Sequence, residues 1–147
     1  MDVFAFLNAF EQSESMPQRQ EDMLIKDGVY YIFYRCETQP DAQFMMSVSV
    51  DDWDVPQIVR LFFAKEEGIS ANSAAVLASQ TLAAFAGITA EESANAIALL
   101  RGENDDSFYS FERKEAQIDG HILQRTSTPL LAVYDFSVSY PSVQGEE

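Results

Sequence analysis

The spacing of apolar residues changes twice along this chain, and this change constrains the fold more than any other feature of the sequence. Apolar and polar residues alternate over 44–50 and 130–140, as expected of strands with one buried face. Over 29–37 both faces are apolar, which indicates a strand covered on both sides or one whose second aromatic face binds a partner. The intervening stretch 54–102 has helix-like spacing.

Strands that occur in runs, before and after a block of helices, favour an α+β fold with a mainly antiparallel sheet. We predict about five to six strands, a central run of three helices packed on one face, and a short N-terminal helix, all in a single domain over 1–147. The expected strands are 23–26, 29–37, 44–50, 108–113, 118–126 and 130–140, with a polar loop or tether over 12–22 and a solvated tail over 141–147.

Capping residues mark the helix ends. Asp2 is placed to cap a helix over 2–11. The first central helix is expected to begin at Asp54, contain Pro56 in its first turn, and end at Gly68. Its expected buried stripe is Ile58, Leu61 and Phe62. The second helix is expected from near Ser70 to Gly87, and the third from a Thr89–Glu92 capping box to Gly102, with Ile97 and Leu100 buried.

Turn residues separate the strands. Asp27-Gly28 predicts a two-residue type I′ hairpin turn, because both central positions of that turn need positive φ. A second turn is expected over 38–41, which contains Pro40. Asp119-Gly120 is either another hairpin turn or an irregularity within a strand.

The charge balance narrows the classes of partner. The chain has 24 acidic and 9 basic residues and a formal net charge of −15. Such a charge repels nucleic-acid phosphates and anionic membranes, so it favours a basic protein partner, a cation, or solubility alone. No stretch is apolar enough to predict a membrane span. The chain as given is expected to be cytoplasmic, or secreted or lipid-anchored if a signal segment is missing.

Catalytic chemistry has few candidates. Cys36 and His121 are the only thiol and the only imidazole, so a disulfide within the chain and an ordinary structural zinc site are excluded. Neither residue lies in a catalytic signature, and we expect Cys36 to pack as a small apolar group and His121 to lie in a turn. Phosphate-binding glycine motifs are also absent from the sequence. We predict no catalytic residues and no cofactor.

Asp51, Asp52 and Asp54 form the densest acidic cluster. Their oxygens suit a hard cation such as calcium, but the spacing of an EF-hand and its turn glycine are absent. Solvated charges, with Asp54 as a helix cap, explain the cluster better. We therefore predict no metal site.

Exposed aromatic and acidic residues lead to a functional hypothesis. Trp53, set among aspartates, is a natural anchor at an interface with a basic partner. The leading hypothesis is a non-enzymatic binding domain for a protein partner, a role that immunity proteins and secretion chaperones of this size and charge also have; a homodimer is compatible with it. The alternatives are an extracytoplasmic or lipid-anchored ligand-binding domain, and an enzyme using carboxylates and His121. The predicted contact residues are Asp51, Asp52, Trp53, Asp105, Asp106, Tyr31 and Phe33.

Overall fold

The computed structural model describes residues 1–38, 40–101 and 108–139. Over these residues the chain is α+β, with three α-helices, one 3-10 turn and eight strands. The helices are α1 Val3–Glu11, α2 Ala71–Ala86 and α3 Ala90–Ala98, and the 3-10 turn is Lys65–Glu67. The strands are β1 Gln18–Arg19, β2 Leu24–Lys26, β3 Val29–Cys36, β4 Ala42–Val50, β5 Pro56–Ala64, β6 Glu112–Ile118, β7 His121–Ser127 and β8 Leu131–Val138.

All strand pairs in the described part of the chain are antiparallel, as predicted, but they form one eight-stranded sheet rather than one of five to six strands. The order across the sheet is β1-β3-β4-β5-β8-β7-β6, and β2 also pairs with β3. Two strands had no counterpart in the prediction. The short strand β1 lies within the segment 12–22 that was expected to be a loop, and β5 replaces an expected helix.

The prediction of a helix from Asp54 to Gly68 is wrong. Asp54 caps no helix; it lies in a tight turn with φ of 58°, and Pro56 begins β5 opposite Val50, where the register shifts. A proline is tolerated as the first residue of a strand, so it did not discriminate between the two structures. Gly68, with φ of 77°, ends the 3-10 turn after β5.

Apolar residues on both faces of β5 explain the error. The residues that face the core are Val59, Leu61 and Phe63, which alternate as strand residues do. Ile58 and Phe62, expected beside Leu61 in a helical stripe, lie on the other face and are only half-buried. A short strand with two apolar faces contains both patterns, so periodicity alone could not distinguish them.

The other helices begin as predicted, and α1 and α2 also end where expected, whereas α3 ends at Ala98, four residues before the predicted Gly102. The Asp2 carboxylate accepts from the Ala5 amide at the start of α1, and Ser70 caps α2 in the same way. The capping box is confirmed, since the side chains of Thr89 and Glu92 each accept a hydrogen bond from the other residue's backbone amide. The expectation that three central helices pack on one face is wrong: two central helices form in the described part of the chain, α2 and α3, and α3 packs mainly against α2 and approaches the sheet near β6.

The last strands form a meander. The strand expected over 108–113 begins instead at Glu112, after a turn. Asp119-Gly120 is a hairpin turn, because Ile118 pairs directly with His121 and Gly120 has φ of 80°. Asp27-Gly28 is confirmed as the other two-residue turn, with both residues at positive φ.

The core lies between one face of the sheet and the helices α1 and α2. We call this the core face. The Phe10 ring of α1 meets the rings of Tyr34 and Phe44 edge-on, with centroids 5.3 and 6.2 Å away. The fully buried rings of Tyr134 and Phe136 continue this layer on β8. The prediction for β8 is confirmed at Ala132, Tyr134 and Phe136, whereas Leu130 lies before the strand and is exposed.

Several predicted positions lie outside the described ranges: part of the turn at 38–41, Gly102, Tyr140, and the tail 141–147. Among the described residues, no helix combines the length and apolar character needed to cross a membrane.

Candidate functional site

The second face of the sheet, which we call the open face, carries apolar side chains that remain partly exposed. Phe33, Met45, Phe62 and Val133 are paired directly across four neighbouring strands, and we call them the apolar row. Phe33 is 44% exposed and the other three are half-buried. The second apolar face of β3 is therefore not fully covered at Phe33.

A polar row runs beside the apolar row on the open face. Tyr31 pairs with Ser47, which pairs with Arg60, which pairs with Asp135. The Arg60 Nε donates to Asp135 Oδ2 at 2.7 Å, and both side chains remain partly exposed. At the centre of the open face, the surface is therefore formed by two opposite charges that neutralise each other, and not by further apolar side chains.

A cleft of about 430 Å³ lies over the apolar row. Phe33, Met45 and Phe62 line it, together with Gln20 and Glu21 from the segment after β1. The backbone amide of Gln20 donates to the Phe33 carbonyl at 2.9 Å, which holds this segment along the edge of β3. We call this cavity the sheet cleft.

Glu67 lies at the β5 side of the sheet cleft, near Ala64 and Leu131. With the Gln43 amide oriented to satisfy both neighbours, its nitrogen donates to Glu67 Oε1 at 3.1 Å and its oxygen accepts from Arg35 Nη1 at 3.2 Å. Glu67 is thereby positioned by a neighbour on β4. The lining of the cleft contains two carboxylates, Glu21 and Glu67, and neither lysine nor arginine among the described residues.

The turn between β4 and β5, residues 51–54, presents the single tryptophan. The Asp51 Oδ1 accepts from the Trp53 amide at 2.8 Å and from the Val55 amide at 3.0 Å, which fixes the turn from within. The Trp53 side chain is 83% exposed. We call these four residues the Trp53 turn.

Other carboxylates lie at the same end of the sheet as the Trp53 turn. The Val3 amide donates to the Asp54 carbonyl at 2.7 Å, which brings Asp2 close, and the Tyr30 hydroxyl donates to Asp54 Oδ1 at 3.3 Å. Burial, followed by the negative charges of Asp54 and Asp2, raises the pKa of Tyr30. The Val50 amide donates to the Gly28 carbonyl at 3.0 Å, so the hairpin that carries Asp27 is also adjacent.

The predicted contact residues divide between these two surfaces. Asp51, Asp52 and Trp53 lie in the Trp53 turn, whereas Tyr31 and Phe33 lie on the open face. Phe33 pairs with Met45, six residues before Asp51, a separation of about 20 Å along an extended strand. Asp105 and Asp106 lie outside the described residues.

Cys36 and His121 lie far apart. Cys36 ends β3 and His121 begins β7, and β4, β5 and β8 lie between those strands. The three intervening strands alone separate the two by about 19 Å across the sheet, and the two residues also lie at opposite ends of their strands. Cys36 is fully buried, and burial together with the Asp41 charge raises the pKa of its thiol to about 11. The His121 ring packs edge-on against Phe85, with centroids 5.2 Å apart.

Metal ligands are not clustered in the described part of the chain, where no three His, Cys, Asp or Glu side chains lie close enough to hold an ion. In the acidic cluster considered for calcium, Asp51 Oδ1 already accepts hydrogen bonds from the backbone amides of Trp53 and Val55. Asp54 lies in the same turn and accepts from Tyr30.

A groove of about 830 Å³ runs between the end of α1, α2 and α3. Small side chains make up most of its walls, with Glu14 on one wall and Arg101 on another. Arg101 donates to Asn72 Oδ1 at 2.6 Å across the groove. The sequence signal for this groove was the alanine content of α2 and α3, which also permits close helix packing and so is not specific to binding.

The buried arginine of β7 was missed entirely by sequence reasoning. The Arg125 side chain is 1% exposed; its Nε donates to the Leu100 carbonyl at 2.7 Å, and its Nη2 pairs with Glu112. Its guanidinium also lies 5.7 Å from the centroid of the Phe108 ring. These contacts tie the end of α3 to β6 and β7, a structural role rather than a site open to ligands.

Comparisons of this chain with models of protein families, with curated proteins and with solved structures find no match. A functional argument for this chain therefore depends on the chemistry of its own surfaces.

Proposed function

We propose that this protein is a non-enzymatic binding domain that contacts a basic protein partner through the Trp53 turn and the acidic residues around it. The observation that carries this proposal is the exposure of Trp53, 83%, on a turn held in one conformation by Asp51. Because Trp53 packs against no core, its side chain contributes little to the stability of the fold. At interfaces, tryptophan is among the residues that contribute most binding energy.

The charge around Trp53 supports a basic partner. Asp52 is exposed beside Trp53, and Asp27 and Asp2 lie on the adjacent segments. Together with the net charge of −15, these carboxylates would steer a basic protein toward this end of the sheet and speed its association. An aromatic anchor on a turn whose backbone is fixed, with negative charges nearby, would combine an attachment point with selection by charge.

The catalytic alternative has weaker support. A thiolate nucleophile needs a base within hydrogen-bonding distance, and Cys36 and His121 are separated by three strands. The raised pKa of the Cys36 thiol, about 11, keeps it protonated near neutral pH, the opposite of an activated nucleophile.

Selection from a random peptide display library tests the proposal without assuming a partner. We expect the enriched peptides to be rich in Lys and Arg and to change the fluorescence of Trp53, the only tryptophan in the chain. Calorimetry then measures the affinity of these peptides for the protein. We expect Trp53→Ala to lower this affinity at least about tenfold, because Trp53 is the proposed anchor of the interface. Asp52→Asn should slow association and flatten its salt dependence.

Phe111→Ala is the matched control. Phe111 is as exposed as Trp53, 83%, but it precedes β6 at the opposite end of the sheet. The variant should bind the selected peptides like the wild type. Enrichment of acidic or neutral peptides, or equal loss of affinity with Trp53→Ala and Phe111→Ala, would overturn the proposal.

A further inference from the structure

We propose that the sheet cleft binds an amphipathic helix of a partner protein, whose apolar side chains lie on the apolar row and whose flanking Lys or Arg side chains pair with Glu21 and Glu67. This inference goes beyond the proposed function, because the cleft and the Trp53 turn are separate surfaces.

The composition of the cleft floor shows what it would contact. Phe33, Met45 and Phe62 lie side by side on three adjacent strands, and Phe33 is 44% exposed. Concave apolar surface with a few convergent polar groups is the usual form of a binding site. A methionine between two aromatic rings also gives the floor an adaptable surface.

Charge decides between two occupants of the cleft. A second copy of this chain would bring another net charge of −15 onto a cleft that already contains Glu21 and Glu67. Like charges placed across an interface cost binding energy. A segment with Lys or Arg on either side of its apolar residues instead forms ion pairs with these two carboxylates.

Spacing favours a helix over an extended strand. Neighbouring strands lie about 4.8 Å apart, and a helix rises about 5.4 Å per turn, so a helix laid across the strands places one turn over each. Side chains on one face of an extended segment are about 6.7 Å apart and would lose this match. From the Gln20 segment to Leu131 on β8 is about four strand spacings, or about 19 Å, the length of about 13 helical residues.

A designed peptide provides the test. The probe is a fluorescent 14-residue peptide (roughly the helix length given by this span) with Leu at helical i, i+3, i+4 and i+7 spacing and Lys at both ends; a scrambled peptide of identical composition is its control. By fluorescence anisotropy we expect the patterned peptide to bind and the scrambled peptide to bind at least about tenfold more weakly. Phe33→Ser should weaken binding by about tenfold. The double variant Glu21→Gln/Glu67→Gln should weaken it and flatten its salt dependence.

Two control variants locate the site. Ile122→Ser removes another half-buried apolar side chain from the open face, on β7 away from the cleft, and should leave binding unchanged. Trp53→Ala should also leave it unchanged, which separates failure of this inference from failure of the proposed function. If Phe33→Ser does not fold, the double glutamate variant, which removes no apolar contact, decides alone.

Three results would overturn the inference. Equal binding of the patterned and scrambled peptides would mean attraction by net charge alone. Loss of binding on Trp53→Ala would place the peptide at the other end of the sheet. A dimer of this chain that dissociates on Phe33→Ser would show that a second copy occupies the cleft.

Discussion

The two faces of the sheet contain similar apolar residues but differ in how far those residues are buried. On the core face, Tyr134 and Phe136 are fully buried beneath the helical layer. On the open face, Phe33 is 44% exposed, and Phe62 and Val133 are half-buried. The same kinds of side chain therefore contribute stability on one face and leave surface available for contact on the other.

Charged pairs show the same contrast. On the core face, Arg125 is buried and bonded to Glu112, to Ser127 and to a backbone carbonyl. On the open face, Arg60 and Asp135 form a pair in which both side chains remain partly in water. A buried charge must be fully partnered, whereas an exposed pair contributes little. The core face should thus depend on individual residues far more than the open face.

The sharpest test of this contrast uses neighbouring residues of β8. Phe136→Ala removes a buried ring and should lower the free energy of unfolding by about 3–5 kcal/mol. Ser137→Ala, on the open face and half-buried, should change it by less than about 0.5 kcal/mol. Thermal and denaturant melts of the two variants measure the difference. Similar midpoints would mean that residues Leu131–Val138 do not form a strand with one buried face.

Sequence reasoning located the fold best where one local signal had a single structural meaning. The Thr89–Glu92 capping box and the Asp27-Gly28 turn are stereochemical requirements of the backbone, and both form as predicted. The stretch 56–64 failed because apolar residues on both faces of a strand also match a helical stripe. The β-branched and aromatic content of that stretch (Ile58, Val59, Phe62 and Phe63) was the better signal.

The candidate sites were predictable only in part. Trp53 could be singled out because it is the single tryptophan of the sequence and has aspartates on both sides. The sheet cleft could not, because Phe33, Phe62 and Glu67 come together only through the pairing of β3, β4 and β5. Arg125 had no signal either, since an arginine in a strand ordinarily faces water.

The second prediction compares the two ion pairs. Arg125→Ala leaves Glu112 and the Leu100 carbonyl without their partner and should cost about 3 kcal/mol, since Glu112 can regain some water. Arg60→Ala removes an exposed pair and should cost about 0–1 kcal/mol. Denaturant melts at low and high salt check this, because only the Arg60 contribution should weaken with salt. Equal costs would show that the open face is as buried as the core face.

The smallest expected effect concerns alkaline pH and the thiol on the core face. Burial raises the pKa of Cys36 from an ordinary value of 9.0 to about 11, so the folded state retains a proton that the unfolded chain releases. The resulting contribution to stability is complete below about pH 9 and is lost as pH rises toward 11, about 1 kcal/mol at pH 10. Melts of the wild type and of Cys36→Ala between pH 8 and 11 isolate this contribution, because the core-face tyrosines titrate in both proteins. The wild type should lose more stability over that range, and a thiol reagent at pH 8 should modify Cys36 only as fast as the protein opens. Parallel pH profiles combined with rapid modification would place Cys36 in contact with water, and the end of β3 would then not belong to the buried face.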